Sequence, residues 1–208
     1  MIRVVIVDDH RLFRQGLAVM LAAKEDIEVV AKFESAVELL KQLPSLEFEI
    51  LLLDIDMPEL DGISAAPKIL EAKPETKIAI LSMHLSGMKI QEAVAAKVKG
   101  YLLKNASDTE LIQAIRDINN GKDYFAKEAQ DELIASYRKK EDPTYVELTP
   151  RELDILKLVC EELNSQEIAE KLCISVHTAE THRRNILSKA GCKNSIGLVK
   201  YAIENELI

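Results

Sequence analysis

The feature that most limits the fold of this 208-residue chain is a regular alternation along its first 120 residues. Short apolar runs rich in β-branched residues alternate with longer segments of helical spacing, a pattern typical of repeated βα units. The runs are too short for helices and mostly apolar throughout, as expected of parallel strands that are buried on both faces. They lie at residues 3–7, 27–32, 50–53, 77–81 and 101–103.

Five helices are predicted between and after these runs, at residues 10–23, 34–43, 62–73, 86–97 and 107–119. Right-handed crossovers would fold such an α/β chain into a doubly wound, five-stranded parallel sheet. The sequence Asn119-Asn120-Gly121 can end the last helix, because glycine readily adopts the left-handed conformation of a C-terminal cap. We therefore predict a first domain over residues 1–121.

A second, wholly helical domain is predicted over residues 148–208. Thr149 as N-cap, Pro150 at the first helical position and Glu152 at the third form a capping box. Four helices are expected, near residues 150–162, 165–172, 176–190 and 195–206. Residues 122–147 would then be a linker with a short helix near 126–138 and a flexible part near Pro143.

The net charge of −8 argues against a nucleic-acid partner for the chain as a whole, because DNA-binding proteins usually present a cationic surface. The charge is unevenly distributed, however. Residues 1–120 carry 14 Lys and Arg against 19 Asp and Glu, whereas residues 146–208 carry 8 against 10. Residues 181–193 contain Arg183, Arg184, Lys189 and Lys193 and no acidic residue, so the positive charge is local.

Two further patterns bear on the compartment in which the chain acts. The N-terminal apolar run, residues 4–7, is ended by two aspartates and is too short for a secretory or membrane-spanning segment. The three cysteines are an odd number and form no C-x-x-C pair, which favours reduced thiols over disulfides or a zinc site. We expect a cytoplasmic protein with no membrane partner.

The residues just after the predicted strands are unusually polar. The first strand is followed by Asp8 and Asp9, the third by Asp54, the fourth by Ser82 and the fifth by Lys104. Ligands of doubly wound sheets bind outside the carboxyl ends of the strands, so we expect these side chains to meet. Clustered carboxylates favour a hard divalent cation such as Mg²⁺. Together with a hydroxyl and an ammonium group, they indicate phosphoryl transfer onto a carboxylate.

In the second domain, residues 164–184 have the pattern of a helix, a turn and a helix. The second of these helices would enter the major groove of DNA with its N-terminal half facing the bases. Helical spacing places Thr178, Thr181 and the pair Arg184-Asn185 on one side, with Ala179, Ile186 and Ala190 directed to the core. The alternative is a helical dimerisation domain whose basic stretch is only a solvated face.

Two other functions compete with a DNA-binding switch. The first domain could be a phosphatase or a haloacid-type hydrolase with an aspartate nucleophile, and Asp56 would then be the second catalytic aspartate. The Asp8-Asp9 pair and the helix-turn-helix pattern argue against this enzyme. A pure protein-interaction scaffold is the third possibility, and it would require that no specific DNA site exists.

The first 120 residues resemble the receiver domain of two-component response regulators. The resemblance is carried by Val7-Asp8-Asp9-His10, by Asp54-Ile55-Asp56-Met57-Pro58 with Asp61-Gly62, by Ser82, and by Lys104 preceded by Gly100-Tyr101. It implies a flavodoxin-like sheet with strand order 2-1-3-4-5. It also implies a sensor histidine kinase as phosphoryl donor, and a self-phosphorylating switch, with at most a slow autophosphatase activity, in place of a turnover enzyme.

The resemblance also assigns roles to individual residues. Asp54 would be the phosphoacceptor, and Mg²⁺ would be held by Asp8, Asp9, Asp54 and the backbone carbonyl of Asp56, with Asp9 the more direct ligand of the first two. Ser82 and Lys104 would hold the phosphoryl group. Tyr101 would follow Ser82 in switching.

Residues 148–206 resemble the LuxR-type DNA-binding domain, most clearly in the segments 148–152, 165–169, 175–182 and 186–187. With the receiver, this resemblance points to a NarL/FixJ-type response regulator that binds double-stranded promoter DNA, forms a homodimer on activation and can act on RNA polymerase. It implies base contacts from Glu180, Thr181 and Arg184. The wider set of DNA-contacting residues would be Thr178, Glu180, Thr181, Arg183, Arg184 and Lys189.

Overall fold

Six parallel strands form the sheet of the first unit of the chain, Met1–Tyr137, in the order β2-β1-β3-β4-β5-β6. The computed structural model describes residues 1–141, 148–205 and 207. The strands are β1 (Ile2–Val7), β2 (Ile27–Phe33), β3 (Ile50–Asp54), β4 (Lys77–Ser82), β5 (Gly100–Leu103) and β6 (Tyr124–Phe125). The predicted doubly wound fold and its order over the first five strands are confirmed.

The sixth strand was not predicted. It consists of two residues, Tyr124 and Phe125, which pair in parallel with Gly100 and Tyr101 of β5. Two residues are too few to show the alternation or the apolar run by which a strand is recognised in sequence. The sheet is therefore one strand wider than predicted, with the same topology.

Helices cover both faces of this sheet. They are α1 (Arg11–Ala22), α2 (Ala36–Gln42), α3 (Gly62–Ala72), α4 (Gly87–Ala95), α5 (Asp108–Asn119) and α6 (Lys127–Glu141), with a short 3₁₀ turn at Leu43–Ser45. Ser35, Asp61 and Ser107 cap α2, α3 and α5 by accepting a hydrogen bond from the backbone N–H three residues on. Such caps satisfy amide groups that have no partner inside the helix, so the helix starts are fixed locally.

The core lies in two layers because successive strand residues point to opposite faces of the sheet. Val5 and Leu51 pack with α2, α3 and α4, whereas Val4 and Leu52 pack with α1 and α5. All four side chains are fully buried. Burial on both faces explains why the strands read as nearly continuous apolar runs.

Residues after the predicted domain end at 121 also pack on the first unit. Ala126 and Ala129 belong to the same buried cluster as the sheet, and the contact pattern divides the chain between Tyr137 and Arg138. Part of the segment predicted as a linker is thus β6 and α6. The predicted flexible part near Pro143 lies outside the described residues.

Among the residues that the structure describes from 148 onwards, the second unit has four helices: α7 (Pro150–Cys160), α8 (Ser165–Lys171), α9 (Val176–Lys189) and α10 (Ser195–Glu204). Their buried faces meet in one apolar cluster that includes Ile155, Ile168, Ile186 and Leu198. Each helix begins with a capping side chain, and the predicted helical second domain is confirmed. Within the part of the chain that the structure describes, no helix has the length and hydropathy needed to span a bilayer.

Glu152 joins the start of α7 to the end of α9. Its carboxylate accepts from the backbone N–H and the hydroxyl of Thr149, and from the Lys189 ammonium at 2.7 Å. The side chain is only 5% exposed. Burial works to raise the pKa of Glu152, but the hydrogen bonds from Lys189 and Thr149 outweigh burial and hold this pKa below its usual range.

Because the pKa of Glu152 is lower in the folded state, its stabilising effect is complete above the pKa of the unfolded chain and is lost as pH falls through the folded value. We expect Glu152→Gln to lower the free energy of unfolding of the second unit by about 1–2 kcal/mol at neutral pH, and by less in acid. Hydrogen exchange of the α7 amides in the full chain measures this.

Glu161→Gln is the matched control, because Glu161 forms an ion pair with Lys171 in which both side chains are about half exposed. Its loss should change stability by at most about 0.5 kcal/mol. Equal effects of the two substitutions, or a Glu152→Gln effect that grows in acid, would contradict the role given to Glu152.

Candidate functional site

The polar residues at the strand ends meet at one edge of the sheet. Asp8 directly follows β1, Asp54 ends β3, Ser82 ends β4 and Lys104 directly follows β5. The Lys104 ammonium lies 2.8 Å from Asp54 Oδ2 and 2.7 Å from Asp8 Oδ2. The carboxyl ends of neighbouring parallel strands share one edge, which is why residues so distant in sequence converge.

Lys104 is held in place from two further sides. Its backbone N–H donates to the carbonyl of Ser82 at 2.8 Å, which fixes the start of the segment after β5. Its ammonium group lies 5.0 Å from the centre of the Phe13 ring of α1, within the range of a cation–π contact. The side chain is 3% exposed, so the ammonium points into the site and away from bulk water.

Burial and the ion pairs of Lys104 have opposing effects on the pKa values at this site. Removal of Asp54 from water raises the pKa of its carboxyl, the Lys104 ammonium opposes this, and the charge of Asp8 adds to the increase. Burial lowers the pKa of Lys104, but the carboxylates of Asp54 and Asp8 outweigh burial and raise it overall. A charged lysine between two carboxylates is therefore the favoured state.

The acidic groups fit a hard divalent cation. Asp8, Asp9, His10 and Asp54 each offer a ligand atom, and these atoms lie within 4.8 Å of one another. Asp8 Oδ2 and Asp54 Oδ2 contact the Lys104 ammonium at 2.7 and 2.8 Å, and Asp9 Oδ1 lies 2.8 Å from His10 Nδ1. Carboxylate oxygens are the ligands that Mg²⁺ prefers, and the structure brings together three of the four predicted metal-site residues, Asp8, Asp9 and Asp54.

Asp56, the fourth predicted metal-site residue, turns its carboxylate away from this cluster. Its Oδ1 lies 2.6 Å from the Lys89 ammonium of α4, while its backbone N–H donates to Asp54 Oδ1 at 3.3 Å. This geometry agrees with the expectation that Asp56 serves through its main chain. It does not favour Asp56 as a second catalytic carboxylate of a hydrolase.

Gly62 allows the loop after β3 to close on the phosphoacceptor candidate. A Cβ at this position would lie 2.1 Å from the backbone oxygen of Asp54, which no side chain could tolerate. The N–H of Gly62 donates to the carbonyl of Ile55 at 3.0 Å. In the sequence, Gly62 is only one member of a motif. The structure explains why this position requires glycine: the backbone of Asp54 lies too close for any side chain.

The two predicted switch residues converge on one carbonyl group. Ser82 Oγ donates to the carbonyl of His84 at 2.7 Å, and Tyr101 Oη donates to the same oxygen at 3.3 Å. The Tyr101 side chain is fully buried, and burial raises its pKa. Ser82, Tyr101 and His84 thus form a hydrogen-bonded group directly before α4.

Two positioning residues near the site were not predicted. Arg14 of α1 donates a hydrogen bond to the backbone carbonyl of Asp8 and also lies 3.8 Å from Glu34, with its side chain 11% exposed. Lys89 reaches Asp56 across 33 positions of sequence. Arg14 lies only five residues after Asp9, and this short separation could have indicated a role near the site. Nothing in the sequence indicates that Lys89 contacts Asp56.

In the second unit, α9 is the helix that the sequence predicts to contact DNA. Glu180, Thr181 and Arg184 are exposed on its outer side, whereas Ala179 and Ile186 are buried in the core, as predicted from helical spacing. The hydroxyl of Thr178 instead pairs with that of Ser175, the N-cap of α9, at 2.7 Å. Thr178 therefore lies at the start of the helix and is only partly exposed.

The other two predicted DNA-contacting residues are engaged inside the domain. The guanidinium of Arg183 donates to the carbonyl of Leu163 at 3.3 Å and to Ser195 Oγ at 3.0 Å. Lys189 contacts Glu152 at 2.7 Å. The outer side of α9 thus carries less available positive charge than the sequence suggests, and Arg184 is an exposed cation on that side.

Comparison with known proteins identifies the two units. Residues 4–116 match the response regulator receiver domain, and residues 146–202 match the bacterial regulatory proteins of the luxR family. These matches define a response regulator of two-component systems that binds DNA and regulates transcription, which is not a turnover enzyme. The chain belongs to the NarL/FixJ-type response regulators.

Similar proteins cover the whole chain. The oxygen regulatory protein NreC of Staphylococcus aureus is 35% identical over 215 aligned positions, which span 99% of each chain. RcsB from Salmonella enterica serovar Typhimurium, solved bound to promoter P1flhDC in the presence of the phosphomimetic BeF₃⁻, is 28% identical with a TM-score of 0.67 over 96% of this chain and 97% of RcsB. The response regulator ChrA of a heme-sensing two-component system is 30% identical, with a TM-score of 0.57 over 100% of this chain and 98% of ChrA.

Proposed function

We propose that Asp54 accepts a phosphoryl group from a histidine of a sensor kinase, and that the phosphorylated chain regulates promoters in the cytoplasm as a homodimer. The observation that carries the first part is the buried Asp54 carboxylate, 2.8 Å from the Lys104 ammonium. In the transfer, an Asp54 oxygen forms a bond to phosphorus while the P–N bond of phosphohistidine breaks. The electron pair of that bond stays on the imidazole nitrogen.

The side chains around Asp54 suit each requirement of this transfer. Lys104 supplies a fixed positive charge for the oxygens of the phosphoryl group, and Ser82 has a hydroxyl that can donate to one of them. A Mg²⁺ ion held by Asp8, Asp9 and Asp54 and by the backbone carbonyl of Asp56 would neutralise the remaining charge of the phosphoryl group. Slow attack of water on the acyl phosphate would then end the signal.

DNA binding is proposed to use the outer side of α9. Arg184 and Thr181 are placed to contact base edges, and Glu180 could accept a hydrogen bond from cytosine N4. Thr178 lies at the N-terminal end, where backbone amides approach phosphate. We assign Arg183 and Lys189 mainly to the support of α9, because both contact groups within the domain. Promoter-bound dimers could then act on RNA polymerase.

Asp54→Asn should abolish phosphoryl uptake from acetyl phosphate in the presence of Mg²⁺, because an amide oxygen is a poor nucleophile. Asp56→Asn is the matched control: it removes the same charge two residues away but keeps the backbone carbonyl. Intact-mass measurement should show incorporation of one phosphoryl group in the wild type and in Asp56→Asn. Equal incorporation in Asp54→Asn would overturn the assignment.

Arg184→Ala should weaken binding to the selected promoter site and reduce base preference, because a bidentate base contact contributes about 1–3 kcal/mol of discrimination. The slope of log affinity against log salt should fall by about one if Arg184 contacts phosphate instead. Lys157→Ala, which removes an exposed charge from α7, is the control. Gel-shift titrations measure the affinity of each variant for specific and random DNA. Equal affinities of Arg184→Ala and Lys157→Ala would refute the assignment of Arg184 to the DNA-binding surface.

The low net charge of the DNA-binding domain supports the proposed dimerisation. Residues 146–208, with 8 basic and 10 acidic residues, can make few phosphate contacts, so a single copy should bind weakly at physiological salt. Two copies on a two-fold axis would make the second half-site contact nearly intramolecular.

Beryllofluoride, a mimic of the phosphoryl group, should therefore raise both the sedimentation coefficient and the affinity for a two-half-site promoter. The physical reason is that loading shifts the population towards the paired state. Asp54→Asn serves as the unloaded control. Normal loading without a change in mass or affinity would exclude activation by dimerisation.

A further inference from the structure

The first turns of α4 contact two different parts of the first unit. On one side the Lys89 ammonium lies 2.6 Å from Asp56 Oδ1, in the loop that follows the phosphoacceptor strand. On the other side Gln91 Nε2 donates to Ser136 Oγ of α6 at 2.7 Å. Helix α4 therefore touches both the candidate phosphorylation site and the last helix before the second domain.

The contact between α4 and α6 leaves no room for a side chain at Gly87. A Cβ there would lie 2.5 Å from Ser136 Cβ and 3.1 Å from Ser136 Oγ. The Ser136 hydroxyl is itself fixed, since it donates to the carbonyl of Leu133 at 2.7 Å. Beneath this contact, Ala93 of α4 and Ala129 of α6 are fully buried in the same apolar cluster. The two helices are closely fitted at this point.

The contact on the other side of α4 begins at Ser82. The Ser82 and Tyr101 hydroxyls both donate to the carbonyl of His84, two residues before Ser86, the N-cap of α4. Ser82 has only one hydroxyl proton, so a phosphoryl oxygen that accepts from it must take it from the His84 carbonyl. Loading of Asp54 would thus release one of the two hydrogen bonds that the His84 carbonyl accepts.

We propose that α4 couples the phosphoryl group on Asp54 to the packing of α6 through the Gly87–Ser136 contact. This inference rests on the proposed role of Asp54. Loss of the Ser82–His84 hydrogen bond lets the start of α4 move towards the site and away from Ser136, which loosens α6. Coupling of this kind is reciprocal, so a change that loosens α6 must favour loading of Asp54 by the same factor.

Gly87→Ala tests this coupling in the full chain, because its added methyl group forces α4 and α6 apart. We expect Gly87→Ala to bind beryllofluoride about fivefold more tightly in the presence of Mg²⁺, measured by ¹⁹F NMR. Ser136→Gly removes two of the three atoms that the methyl group meets and leaves only the flexible end of Glu132 at 3.0 Å, so the double variant Gly87→Ala/Ser136→Gly should return to within about twofold of the wild type. Gly16→Ala of α1, where a Cβ meets nothing within 4 Å, is the matched control and should leave the affinity unchanged.

Hydrogen exchange supplies the second measurement. Loading of the wild type should speed exchange of the α6 amides over residues 127–137, and Gly87→Ala should show fast exchange before loading. Unchanged α6 exchange on loading, or an unchanged or weaker affinity in Gly87→Ala, overturns the coupling. Failure of the proposed function looks different: the wild type would not load, or Asp54→Asn would load equally well.

Ser136→Ala keeps the inference testable if Gly87→Ala does not fold. This substitution removes the hydrogen bond from Gln91 without adding an atom. It should speed exchange of the α6 amides and tighten beryllofluoride binding by about twofold. If Ser136→Ala loads with the affinity of the wild type, the contact does not transmit the signal.

Discussion

The candidate phosphorylation site depends on the two ion pairs that Lys104 forms with Asp8 and Asp54. The two buried carboxylates would repel each other. The Lys104 ammonium, 2.7 Å from Asp8 Oδ2 and 2.8 Å from Asp54 Oδ2, offsets this repulsion. Removal of one partner from a buried ion pair commonly costs about 3–5 kcal/mol, because a charge is left uncompensated. The sheet order, the Phe13 contact and the fit of Gly62 all serve to hold these groups in one place.

Much of this architecture could be predicted from the sequence because it depends on local patterns. Apolar runs indicate the strands, and the polar residues that end them must meet once the strands are parallel neighbours. Asp8, Asp54, Ser82 and Lys104 were found in this way. Strand β6 was missed because two residues carry no pattern, and the contact of Lys89 with Asp56 was missed because no local rule relates the two positions.

The DNA-binding surface shows a different limit of sequence reasoning. Arg183, Arg184 and Lys189 look equivalent in sequence, yet Arg183 and Lys189 each contact an acceptor inside the domain and Arg184 does not share those contacts. Charge on a helix is therefore not the same as charge available to DNA. The internal contacts of Arg183 and Lys189 weaken the electrostatic attraction between DNA and a single copy of the domain. Binding by two copies together would offset this loss.

The arrangement around Ser82 explains how a small group can produce a two-state response. Ser82 can donate to the His84 carbonyl or to a phosphoryl oxygen, but its single proton cannot serve both. Tyr101 fills the interior beside this hydroxyl, and α4 starts just beyond it, so neither can shift without repacking against buried neighbours. Packed interiors favour discrete alternatives over gradual deformation. A choice between two acceptors at one hydroxyl can therefore become a choice between two positions of α4.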